Sequence, residues 1–207
     1  MLHMNFERAG DPGPRAGKRS VAAPMNLAGW LQEHSAPIAQ RWADGLLAAG
    51  NSRSRAGESL VHRFCRGLVS FLPGMLGPYR AQILPLWSEC AELFGSVAAR
   101  RGLSAGEVIE EFQILREVVL HLMFEQPPGT VRGLELRDVL HLNRAVDIGV
   151  TQASVGHTDL LFFNLVHGWG GPAPLGPDDH DEVRDQIRTL QEEGSRIMRH
   201  MARIGRE

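Results

Sequence analysis

The stretch from Arg101 to Phe124, RGLSAGEVIEEFQILREVVLHLMF, constrains the fold more than any other part of the chain. Ser104 followed by Glu107 forms a capping box, in which each side chain satisfies a backbone donor left open by the first helical turn. Leu103 before the cap and Val108 after it are spaced for a hydrophobic staple. Val108, Phe112, Leu115, Val119 and Leu122 then recur at alternating steps of four and three, a single apolar seam on one helix. Glu110, Glu111, Gln113, Arg116, Glu117 and His121 fall off that seam. Such a helix requires partner helices on one side and solvent or another protein on the other.

The flanking segments repeat this pattern. Residues 25–48 place Leu27, Leu31, Ile38, Trp42 and Leu46 on one face, and Pro37 within them predicts two pieces, 26–34 and 37–48. A second helix, 56–72, carries Leu60, Val61, Phe64, Leu68 and Phe71 and is expected to stop at Pro73-Gly74. A third, 85–101, uses Pro85 in its first turn and Ile83, Trp87, Cys90, Phe94 and Val97 as its apolar points. After Pro127-Pro128-Gly129 a long helix is expected over 134–167. Its apolar points are Leu136, Leu140, Val146, Val150, Leu160 and Leu161. Its small, polar middle, VTQASVGHTD, suits close helix approach or a bend.

These elements predict an all-α fold, an antiparallel bundle of four to five helices over residues 25–167. A basic arm, 1–24, precedes it and a Gly/Pro linker, 168–177, follows. The last segment, 178–207, opens with Asp178, Asp179 and Asp181, which favour a helix start. Val183, Ile187, Leu190, Gly194, Ile197, Met201 and Ile204 then repeat at strict four-three spacing. Two readings fit this seam: a helix folded back on the bundle, or a dimeric coiled coil. The narrow stripe after a flexible linker favours the dimer, with Val183, Ile187, Leu190, Ile197, Met201 and Ile204 as its interface.

Composition narrows the function. The net charge of -2 creates no global field for nucleic acid or anionic membrane. Cys65 and Cys90 stand alone, which argues against a disulfide framework or zinc site and fits a reducing cytoplasm. No apolar run reaches the roughly 18–20 residues that span a bilayer. No nucleophile elbow, phosphate loop or dinucleotide fingerprint is present, so no enzymatic activity and no cofactor are expected.

Three weaker signals remain. Glu107, Glu110, Glu111 and Glu117 share a helix, but without an accompanying ExxH motif they read as a solvated acidic face rather than a metal site. Among nine histidines, His121 and His141 flank the turn at 125–133 and are the candidates for a haem or ligand pocket. His180, in DDHDEVRDQIRTL, is the candidate for phosphotransfer, as in a histidine-kinase fragment, against an exposed residue in a first helical turn.

The segment RGLSAGEVIEEFQILREVVL resembles the signature of the RsbRD N-terminal type regulatory domain. Gly102, Leu103, Ser104, Glu107, Glu111-Phe112 and Leu115-Arg116 carry the resemblance, and IAQRWADGL (38–46) is similar to the family's first helix. The resemblance implies a helical, in some members globin-like, input domain of stressosome co-antagonists and sensor kinases. It implies a regulatory signalling module of the stress response that works through protein contacts, with a kinase, phosphatase or anti-sigma system as the expected partner. The homodimer is expected from the seam of residues 178–207 and the cytoplasm from the cysteine usage. The family couples this domain to an output domain. None lies within these 207 residues, so the output is expected in trans or outside them.

Overall fold

A computed structural model describes residues 27–49, 55–125 and 136–204. The expected arm, 1–24, and the side chains of Met201 and Ile204 lie outside the described residues. Among those described, the chain is all-helical, with α1 Leu27–Glu33, α2 Ser35–Ala48, α3 Arg55–Leu76, α4 Arg80–Arg100, α5 Ala105–Glu125, α6 Leu136–Val166 and α7 Pro177–Ile204. Six of these, α1–α6, lie in the span read as a bundle of four to five, α7 is the C-terminal helix expected beside it, and the contacts among the helices fit a helical bundle.

Pro37 explains the break between α1 and α2. It has no N–H for the Glu33 carbonyl and its ring crowds that position. The chain turns at His34, whose backbone N–H and ring Nδ1 both reach the Trp30 carbonyl, at 3.0 and 2.9 Å. The other two prolines behave differently. Helix α3 continues through Pro73 to Leu76, and α4 begins at Arg80 with Pro85 inside it. Burial of Phe71, Leu72 and Met75 around Pro73, and of Ile83 and Leu86 around Pro85, outweighs the one hydrogen bond each proline forgoes.

The core is aromatic at its centre. Trp42 of α2, Phe64 of α3, Phe94 of α4 and Phe112 of α5 form a chain of tilted and edge-on contacts with centroids 5.4–6.1 Å apart. The Trp42 indole N–H donates to the Glu111 carbonyl at 2.7 Å and fixes α2 against α5.

The seam of α5 is fully buried, and its start is built from two consecutive caps. Gly102 takes φ +81° and ends α4 in a Schellman motif. Leu103 N–H donates to Ala98 O at 3.1 Å and Gly102 N–H to Ala99 O at 3.0 Å. Two residues later the capping box closes, with Glu107 Oε2 accepting from Ser104 N–H at 2.7 Å and Ser104 Oγ accepting from Glu107 N–H at 3.3 Å. The bonds from Ser104 hold the Glu107 carboxyl below the usual carboxylate range.

Helix α6 packs most closely on α4. A Cβ on Gly95 would lie 1.8 Å from the Ala153 carbonyl oxygen, and one on Gly156 2.1 Å from that of Glu92. The two backbones touch, which is the physical reason for the run of small residues in the middle of α6. Ser96 Oγ donates to Gly156 O at 3.1 Å across the contact.

Helix α7 does not stand apart. Val183, Ile187 and Leu190 are buried in the same core as α3 and α4, and Ile197 packs against it. At its described positions the expected dimer seam is therefore occupied by this chain's own bundle, which is the fold-back reading. Two glycines explain why. Ile187 sits over Gly67 of α3, and Gly194 of α7 receives the Phe71 ring, where a Cβ would be 2.5 Å away. Gly194, the one seam position without a side chain, is the socket that lets α7 dock. No helix among the described residues is long and apolar enough to cross a membrane.

Candidate functional site

The motif at Arg101–Phe124 turns out to build the fold. Ser104 and Glu107 cap α5, Phe112 and Leu115 are core, and Arg116 pairs with Asp147 to tie α5 to α6. Glu111 corrects the reading of a solvated acidic face: it is fully buried and paired with Arg101, Nη2 to Oε1 at 3.4 Å. Only Glu107, Glu110 and Glu117 of that cluster face solvent. His157, which drew no functional reading of its own, is also inside. Its Nε2–H donates to the Leu103 carbonyl at 2.7 Å and locks α6 onto the corner between α4 and α5.

The thiols are inert by environment. Burial, with the Glu111 charge second, pushes the Cys65 thiol well up, and burial pushes Cys90 up to about 12. His121 and His141 are both exposed rather than facing a shared interior pocket. His141 lines a small cavity of about 220 Å³ with Leu27, Leu76 and Asp138. His180 is half-buried in the first turn of α7. Among the described residues, no group of three or more His, Cys, Asp or Glu is placed to hold a metal ion.

Two features do mark surfaces. The first is the end of α6. The helix continues for nine residues past His157, about 13 Å of helix. Asn164 is the one buried residue there, its amide donating to Leu160 O at 2.8 Å, and Leu160 is half-buried. The remaining positions present Leu161, Phe162, Phe163, Leu165 and Val166 to solvent. Trp169 follows, and exposure reaches 64% at Phe162, 73% at Leu165 and 65% at Trp169. A second Schellman motif fixes this end, with Trp169 N–H donating to Asn164 O at 3.0 Å and Gly168 N–H to Leu165 O at 3.1 Å. Trp169 is held edge-on to Phe163 at 5.6 Å, and His167 lies beside both rings. Contiguous exposed apolar surface of this kind marks an interaction site. The sequence signal was an apolar run, LLFFNLV, with no polar face in it.

The second feature is the attachment of α7. Gly176 precedes Pro177 as the helix N-cap, and Asp179 Oδ2 accepts the Gly176 N–H at 2.7 Å. Arg100, at the end of α4, donates to both Asp179 oxygens, at 3.0 and 2.7 Å, and to Ala173 O at 3.1 Å. These bonds hold the Asp179 carboxyl below its usual range, the Arg100 side chain first and the Gly176 backbone second. The linker is thus clamped to α4 near its end. Beside α7 an open groove of about 960 Å³ runs between α1, the turn at 77–79 and α7, with Gln32, Tyr79, Arg188, Gln191 and Arg199 among its walls.

No protein family, curated protein or solved structure gives a match to this chain.

Proposed function

We propose that this chain is a non-catalytic helical input domain that acts through protein contacts and relays a signal to an output domain or partner. The observation that carries the reading is the end of α6, a capped helix terminus whose solvent face is apolar through Trp169. A module that works through protein contacts requires a surface of this kind. The RsbRD-like segment supports the same reading, with its output partner a kinase, phosphatase or anti-sigma system. The scaffold assumed is an antiparallel, globin-like bundle of four to five helices, with α1 and α2 counted as one broken helix. The reading assigns the protein to the cytoplasm, in keeping with two isolated, buried cysteines.

Helix α7 is the element suited to relay. It is docked by three buried apolar residues and clamped at its start by Arg100, so a partner that displaced the linker would release the helix. One observation favours a second reading, a small-ligand sensor: a ligand in the groove walled by Gln191 and Arg199 would press directly on α7.

A genomic two-hybrid screen with the wild type and with the Phe162→Asp/Val166→Asp variant tests the contact reading. Reproducible partners that vanish with the variant support it. Partners indifferent to both substitutions refute it.

A further inference from the structure

Formal charge is absent from residues 160–177, LLFFNLVHGWGGPAPLGP, a run of eighteen positions bounded by Asp159 and Asp178. Elsewhere the chain carries 46 charged residues, so this silence sets the end of α6 and its turn apart. We propose that the occupant of the α6 end is a second copy of the chain, seated about a twofold axis. The proposal rests on the reading of this end as a contact surface.

Three observations favour a second copy. In a twofold interface each patch faces its own image, so any charge at its centre would face a like charge. A patch without charges meets that requirement, and it offers no complement to an acidic or basic partner. An anionic bilayer is disfavoured on the same ground, because both bounding residues are acidic and no Lys or Arg lies between them.

Size is the second observation. The exposed fractions of Leu161, Phe162, Phe163, Leu165, Val166 and Trp169 leave roughly 700 Å² of side-chain surface open. A standard interface buries about 800 Å² on each partner.

The third is preorganisation. The Schellman turn holds Trp169 against Phe163, so two aromatic anchors are already fixed before contact, which lowers the ordering cost of association. Among its described residues helix α7 offers no competing surface, because Val183, Ile187 and Leu190 face inward and the outer face carries Asp185, Arg188, Glu192, Glu193 and Arg196.

Sedimentation equilibrium on the full chain, over a wide concentration range, tests the proposal. The wild type is expected to sediment as a dimer. Phe162→Asp/Val166→Asp is expected to be monomeric, with dimer affinity weakened on the order of a hundredfold. Both positions are exposed in the monomer, so circular dichroism and the urea transition of the monomeric variant report an intact bundle. Should that variant fail to fold, Leu165→Ser provides a milder probe, with dimerisation weakened about tenfold.

A wild type that is monomeric at every concentration overturns the proposal, as does a folded Phe162→Asp/Val166→Asp variant that remains dimeric. Neutral phosphatidylcholine vesicles form a further arm: a monomeric wild type that co-sediments with them, and loses that in the variant, assigns the surface to lipid and also overturns the proposal. A monomer whose two-hybrid partners still depend on Phe162 and Val166 removes the second copy and leaves the contact reading standing. Loss of both dependences removes the two together.

Discussion

Helix α6 is two helices in physical terms. Its middle, Gly149 to His157, is so tightly set that backbone touches backbone at Gly95 and Ala153, and at Gly156 and Glu92. Its end, Leu161 to Val166, is more apolar and yet exposed at every position but Asn164. Hydrophobicity along the helix therefore runs opposite to burial. Small residues went to the interior because they permit close approach. The large apolar ones were left outside, where folding makes no use of them. Exposed large apolar residues of this kind mark interaction surfaces, which is the role proposed for them above.

The comparison breaks most violently at Gly156. Gly156→Ala would drive a methyl into the Glu92 carbonyl and force α4 and α6 apart, at a cost of about 3 kcal/mol in urea unfolding. A loss below roughly 0.5 kcal/mol, the range of surface substitutions, would show that the helices are not in backbone contact.

Ile187→Asp is next, at about 3 kcal/mol or slightly less, because it sets a charge over Gly67 in the core. Combined with Ile197→Asp it should destabilise the whole bundle. A double variant that keeps full stability while losing an oligomer would return α7 to a coiled-coil role.

Asp179→Asn acts on the clamp that follows the exposed end. The wild-type carboxyl is held low, so its contribution is complete above the unfolded-state value near 3.9 and is lost as pH falls through the lower folded value. The gap in urea midpoint between wild type and variant should therefore be full at neutral pH and close in acid. A gap that widens on acidification contradicts the clamp. At neutral pH the variant should also exchange the amides of the first turn of α7 faster.

Phe162→Ser, at the exposed end, should change monomer stability least, within roughly 0.5 kcal/mol, despite removing a phenyl ring. A loss of several kcal/mol, read from urea unfolding of the dilute protein, would mean that the ring is part of the core.

Much of this fold could be read from the residues. The seam of α5, its capping box, the break at Pro37 and the close approach in the middle of α6 each follow from local chemistry. Spacing, a paired Ser and Glu, a missing N–H and a lack of side chain are all visible in one segment. What escaped depends on partners distant in the chain. Pro73 and Pro85 stay helical because burial of their neighbours prevails, and that burial is tertiary. Glu111 looked like part of a solvated face until Arg101 came to meet it across the corner. Gly194 reads as a defect in a seam when taken alone and as a socket only when Phe71 is known to lie opposite. The candidate surface was hidden for the same reason. An apolar run in a helix reads as core, and nothing within the run says that the bundle ends at His157.

The most direct test is a spin label placed by Val166→Cys in the full chain, compared with one at Glu193→Cys on the outer face of α7; Cys65 and Cys90 are buried and do not compete for the label. Dipolar coupling between copies should be strong and short-range at 166 and weak at 193. Coupling concentrated at 193, or none at 166, would contradict an account in which α7 belongs to the fold and the end of α6 to the partner.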